Sequence, residues 1–375
     1  MKPSHALLMV FALSAFMLNG CGGGGGGGGK TTTTSTEMTT TTLSSITTTT
    51  LVSGTSTIAV MDLESEATTF TVPSNAISFL LSASGDSETL IGFNALSTPS
   101  GTDLVSGDLA GLLDPSAGYG NVLVPMIPSH TATVGQWQFQ AYGGFDALKV
   151  TLRTGAIPTA SLLSIKPYLT GTKYTTSQVE SVLAVLKDIY ENAGLQVQLD
   201  AVTVISEEKF STISSRFTDS ITAELISMGA ADQINLFFIE DFTGSDAGIL
   251  GISSGIPGSL GIAGNYNGVL NGMDGHLING SLDIQLLGET AAHEMGHWLG
   301  LFHTTESNGT VFDPLDDTPE CPISNALFSF FGVQPSDCEE LDGTNLMFWT
   351  GSETIDQSTL TPNQVHIVNY SPIAQ

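Results

Sequence analysis

Eleven consecutive residues have the types and spacing to hold a metal and use it: His293-Glu294-Met295-Gly296-His297-Trp298-Leu299-Gly300-Leu301-Phe302-His303. On a helix His293 and His297 lie four apart and share one face, so two neutral imidazoles can bind one Zn²⁺. Gly300 lets the helix stop and the chain turn, because glycine enters left-handed conformations at little steric cost. The turn brings His303 back as a third ligand and leaves a fourth position open for water, as a catalytic zinc site requires. Glu294, beside the first ligand, is placed as general base, taking a proton from the attacking water and passing it to the leaving amine. Histidine is scarce, seven in 375 residues, and three of the seven fall here, so composition alone does not explain the cluster. One catalytic Zn²⁺ is the expected cofactor.

The elements that must position these groups follow from hydrophobic period. Leu286 to Leu301 reads as the zinc helix, with Met295, Trp298 and Leu299 facing the core. Thr176 to Asn192 carries apolar residues at helical spacing (Val179, Val182, Leu183, Leu186, Ile189) and ends before Gly194. Leu195 to Ile205 alternates as a strand, Phe217 to Met228 reads as a helix, and Ile234 to Ile239 as a buried strand. Gly248 to Gly264 is glycine-rich without the lysine of a phosphate loop. Ahead of this half, Ile58 to Pro158 shows short alternating runs broken by Gly, Pro, Ser and Asp, the pattern of an antiparallel β-sandwich.

The zinc motif sits in a longer series. Leu287-Gly288-Glu289-Thr290-Ala291-Ala292 precedes it and Thr304-Thr305 follows; Asp317-Thr318-Pro319, Cys321-Pro322, Cys338, Asn345-Leu346-Met347 and Thr361-Pro362-Asn363-Gln364 come later. From about residue 160 to 375 the chain resembles the metzincin zinc metallopeptidases, and the pappalysin-like branch most closely. The resemblance implies a zinc endopeptidase with an active-site helix and a Met-turn, Met347 lying beneath the metal as a packing floor. It also implies an acidic, calcium-associated loop, a disulfide and a closing helix. Gly258 through Val269 would form the upper rim of the cleft, where substrate backbone pairs as an added strand. The chain departs from the family pattern at Trp349, where tyrosine is usual. An indole N–H only donates, so oxyanion stabilisation falls to the metal and backbone donors.

Nine Lys and Arg against 37 Asp and Glu give a net charge of −28, and no Lys or Arg follows Arg216. Nucleic acid is therefore a poor partner, because no basic patch exists to displace its counterions. Cationic substrate segments and divalent cations suit the charge better. Asp313, Asp316 and Asp317, with Glu339, Glu340 and Asp342, make calcium a candidate second ion; solvated acidic loops are the other meaning. His276 and His366 read as core or surface residues rather than ligands, and His130 carries no signal.

Residues 1–20 read as an export signal: Lys2, then an apolar run from Ala6 to Leu18 too short to span a bilayer. Leu18-Asn19-Gly20-Cys21 resembles a bacterial lipobox, which would lipidate Cys21 and anchor the protein in the cell envelope, at the outer membrane; simple secretion is the alternative. Residues 21–57, a glycine run and a Thr/Ser tract, lack the apolar content for a core and read as a tether with a reach of about 30–35 Å. In an oxidising compartment Cys321 and Cys338 read as a disulfide, with zinc ligation by cysteine as the rival. The expected organisation is thus signal (1–20), tether (21–57), β-sandwich (58–158) and an α/β (α+β) metzincin-like peptidase domain (159–375). The expected function is endopeptidase cleavage of extracellular proteins or peptides. The alternative is a surface-anchored binding or adhesion lipoprotein with a structural or impaired zinc site.

Overall fold

The computed structural model describes residues 51–53, 56–113, 115–157, 159–322 and 332–375. The export signal, Cys21 and most of the expected tether lie outside the described residues. The tether's end does not: Leu51–Ser53 is already a strand (β1), paired antiparallel with the next, so ordered chain begins before residue 58.

Eight further strands complete the N-terminal sheet: β2 (Ser56–Leu63), β3 (Thr69–Val72), β4 (Ala76–Gly85), β5 (Leu90–Ser97), β6 (Ser116–Ala117), β7 (Tyr119–Val124), β8 (Gly135–Tyr142) and β9 (Phe145–Gly155). Their order is β1-β2-β9-β4-β7-β6-β5-β8-β3, antiparallel throughout. Alternation drives it: in β8, Trp137 and Phe139 are buried while Gln136, Gln138 and Gln140 are not. The sheet curls over its own core. Phe79 in β4 and Trp137 in β8 are four strand steps apart, about 19 Å in a flat sheet, yet their rings lie 4.9 Å apart.

The second half is built on a mixed sheet. β10 (Leu162–Thr170) pairs in parallel with β11 (Gln196–Leu199) and β12 (Thr203–Ile205), which together form the expected strand broken near Ala201. Two-residue strands β13 (Thr212–Ile213) and β15 (Asp241–Phe242) pair beside it, and β14 (Ile234–Ile239) joins β10 in parallel. β16 (Gly251–Ser253) runs antiparallel along β17 (Val269–Gly272), and β17 runs parallel to β14, so the order β11-β10-β14-β17-β16 leaves β16 at one edge.

Among the described residues there are four α-helices, of which α1 and α3 pack on this sheet. α1 (Thr176–Asn192) starts at a capping box between Thr175 and Gln178, and Gly194 follows its end at φ +90°. α2 (Ser220–Ile226) is shorter than its apolar pattern because Asp219 caps it. α3 (Ile284–Leu299) carries His293 and His297; it is capped by Asp283 and buried from Leu286 to its end. α4 (Pro362–Tyr370) opens on Thr361 with Pro362 in its first turn. No described helix is long and apolar enough to cross a membrane. Leu80 and Leu123 of the N-terminal sheet share one buried apolar cluster with Trp298, Leu299 and Ile367. This buried cluster thus spans both sides of the expected division near residue 158.

Candidate active site

α3 carries His293 and His297 on one face, and Gly300 ends it at φ +110°. That reversal brings His303 back, its ring centroid 4.6 Å from that of His297 and 5.2 Å from that of His293. All three imidazoles are buried. Their hydrogen bonds settle the tautomers: His293 Nδ1 donates to the Leu346 carbonyl at 2.7 Å, His297 Nδ1 to the Leu301 carbonyl at 2.7 Å, and His303 Nδ1 to Glu306 Oε1 at 2.9 Å. On a neutral ring so bonded, Nε2 is the nitrogen that carries the lone pair. His297 Nε2 and His303 Nε2 face each other at 3.0 Å, close enough to share one proton or one electrophile. One ligand atom from each histidine falls within 4.8 Å of the others. Burial also pulls His293 down to about 3 and His297 well below its ordinary value, so both stay neutral, as metal ligands must. The donor set fits zinc.

Glu294 is 3 % exposed, and burial pushes its carboxyl up to about 8, against the effect of a backbone hydrogen bond from Ser253. The edge strand β16 passes directly over it: a Cβ at Gly251 would come within 2.7 Å of Glu294 Cγ. The Asn345-Leu346-Met347 turn lies beneath. Met347 is fully buried, and its sulfur would be 2.5 Å from a Cβ added at Gly296. The turn grips both arms of the site, since Leu346 accepts from His293 and the Met347 carbonyl accepts from Thr304 N–H at 3.0 Å.

The expected substrate rim needs correction. Val269 is fully buried and its strand is flanked by β14 and β16, so it has no free backbone edge to offer. Gly258 lies against the zinc helix, its N–H donating to the Trp298 carbonyl at 3.0 Å. Among the described residues, the edge strand of the sheet near Glu294 is Gly251–Ser253, with Gly251 itself buried. A Cβ at Gly258 would collide with Cδ1 of the Trp298 indole. Gly258→Ala is expected to destabilise the fold by about 1–3 kcal/mol, as overpacking does. Urea unfolding midpoints check it; an unchanged midpoint would refute the contact.

Trp349 turns away from the site, its indole N–H donating to the Val333 carbonyl at 2.6 Å. Cys321 and Cys338 form the disulfide, which removes cysteine from zinc ligation. The acidic residues offered to calcium gain no support as a cation site. Asp342 accepts from Thr304 and Thr305 hydroxyls at 2.7 and 2.6 Å, and Asp317 accepts from Thr361 Oγ1 and Asn363 N–H at 2.8 Å each. Asp313 accepts from Leu315 N–H and the Thr318 hydroxyl. These carboxylates anchor loops.

Sequence reasoning missed Glu306, although a carboxylate three residues after a ligating histidine is a usable signal. It also left His276 without a role. That imidazole is buried and held at about 4 by burial; its Nδ1 donates to the Gly272 carbonyl and its Nε2 accepts from Thr290 on α3. Glu289 lies one turn before His293 on the same helix. It is 4 % exposed, and burial pushes it from 4.5 up to about 7 despite a hydrogen bond from Gln285. A raised carboxyl keeps its proton in the fold after the unfolded chain has lost its own. The metal-free fold therefore loses stability as pH rises from about 4.5 to about 7. Glu289→Gln is expected to raise the denaturation midpoint of the metal-free chain at pH 8 and to leave it unchanged at pH 4. Equal shifts at both pH values would contradict this.

The chain has counterparts among known proteins. A model described as Metallo-peptidase family M12 (Reprolysin_5) matches residues 168–357. An extracellular metalloprotease of Podospora anserina is 25 % identical over 218 residues, spanning 51 % of this chain and 71 % of that protein. One from Pyricularia oryzae is 30 % identical over 157 residues, spanning 39 % of this chain and 52 % of that protein. Among solved structures, archaemetzincin from Methanopyrus kandleri aligns at a TM-score of 0.27 with 14 % identity, over 41 % of this chain and 82 % of that one.

Proposed function

The chain belongs to the metallopeptidase family M12, and from that premise we propose that it is an exported zinc endopeptidase of the metzincin type, close to the pappalysin-like branch. The observation that carries the reading is the convergence of three buried imidazoles, every Nδ1 committed outward, beside the buried carboxylate of Glu294. His293, His297 and His303 would hold the zinc, which when bound supplies Lewis-acid polarisation of a carbonyl and acidifies water. Glu294 accepts the proton of the attacking water and returns it to the leaving amine nitrogen. Pairing of an extended substrate along β16, the edge strand among the described residues, belongs to the same reading. Backbone donors would then carry what Trp349, turned to Val333, does not supply.

The test is digestion of a mixed peptide library by the zinc-loaded chain, with new termini mapped by mass spectrometry. Internal cleavage, enriched for Lys or Arg near the scissile bond, is expected from the acidic surroundings. A flat side-chain profile would discard the charge preference, and the absence of new termini would overturn the peptidase reading.

Export is supported by the N-terminal pattern and by relatives named extracellular metalloproteases. Lipidation at Cys21 belongs to the same proposal. A chain expressed in a bacterium is expected to incorporate labelled fatty acid, and Cys21→Ser to lose it; no label in the parent would leave a secreted enzyme.

A further inference from the structure

α4 is nine residues long, too short to be stable by itself. Both of its ends are held by charged side chains from elsewhere. The Asp317 carboxylate receives Thr361 Oγ1 and Asn363 N–H at the N-terminus. At the C-terminus, Arg153 Nη1 donates to the Asn369 carbonyl at 2.7 Å and to the Ser371 carbonyl at 3.1 Å. Each charge complements the helix dipole. Arg153 belongs to β9 of the N-terminal sheet and is fully buried, with no carboxylate paired to it among the described ion pairs. Burial pulls the guanidinium down to about 10, so it remains charged at neutral pH.

Between its ends α4 grips the floor of the site. Gln364 is fully buried and exchanges two hydrogen bonds with Asn345, at 2.9 and 3.0 Å. Asn345 Oδ1 also accepts the Met347 N–H at 2.8 Å. The next carbonyl, Leu346, receives His293 Nδ1, and the Met347 carbonyl receives the N–H of Thr304, beside His303.

We propose that Arg153 is a positioning residue for the metal centre, and that the N-terminal sheet works through it as part of the peptidase. The path runs from Arg153 through the C-terminus of α4 and the Gln364–Asn345 pair to the Asn345–Met347 turn, which sets the orientation of His293 and His303. Partners that orient ligating histidines commonly change metal affinity about 10–100-fold. The proposal rests on the three histidines being the zinc ligands.

The experiment is zinc affinity of the full chain, measured by competition with a chromophoric chelator, alongside melting of the metal-free proteins. Arg153→Met and Gln364→Leu are each expected to weaken zinc binding about tenfold or more, and Arg153→Lys to restore part of the loss. The double variant is expected to be no weaker than the worse single one, because both act on one path. A merely structural role would lower the melting temperature and leave zinc affinity of the folded chain unchanged, which would overturn the proposal. Effects that multiply in the double variant would also overturn it. If Arg153→Met does not fold, Arg153→Lys takes its place in the cycle. A parent that binds no zinc removes the functional reading as well; a zinc-binding parent with unaffected variants removes only the relay.

Discussion

Glu294→Gln is expected to lower kcat for peptide cleavage by about 10²–10⁴-fold, the usual contribution of a general base, while zinc stays bound. The amide has nearly the shape of the carboxylate but accepts no proton. Glu294 ligates nothing among the three-histidine set, and it packs under Gly251 of β16. The isosteric change should therefore leave the histidines, their Nδ1 partners and the β16 edge in place. Steady-state kinetics on a fluorogenic peptide, with zinc content measured on the same samples, separates the two effects. Activity within a few-fold of the parent would remove Glu294 from the chemistry. Loss of zinc together with activity would make it a support for the ligands.

His297→Ala should remove the metal itself. Its imidazole is at the centre of the cluster, edge-on to His293 with centroids 4.6 Å apart and the same centroid distance from His303. Without it only two protein ligands remain, too few for a catalytic zinc site. Zinc at 1,000 times its dissociation constant stabilises a binding-competent fold by about 4 kcal/mol. The parent's melting temperature should accordingly rise when zinc is added, and that of His297→Ala should not. Without metal the variant still leaves the Leu301 carbonyl short of its side-chain donor, at a cost of about 1–3 kcal/mol. Calorimetry with and without zinc reads both effects. A variant that still gains stability from zinc would mean that the metal sits elsewhere.

Much of the site was legible because its chemistry is local. The histidine spacing, Gly300 and Glu294 all lie within one helix and its terminating turn, and short-range geometry decides where they point. The helix Thr176–Asn192 and the strand Ile234–Ile239 emerge where the pattern placed them, since each has one period and one cap or break. What sequence did not show depends on pairing between distant segments. The family resemblance assigns Val269 to the rim, and only the sheet order reveals that β16 covers its outer edge. The Gln364–Asn345 pair and the hold of Arg153 on Asn369 and Ser371 join residues far apart along the chain, and no spacing rule predicts them. The acidic loops illustrate the same limit. Charge density suggested a cation, whereas Asp317 and Asp342 are used to receive hydroxyl and N–H donors.

The most direct test of the central claim is a zinc titration of the metal-free chain, followed by peptide cleavage at each point. The account predicts that cleavage is absent without metal, rises in proportion to zinc and saturates at about one equivalent per chain. Stoichiometric binding with no cleavage at any point, or cleavage that persists in the zinc-free chain, would contradict it.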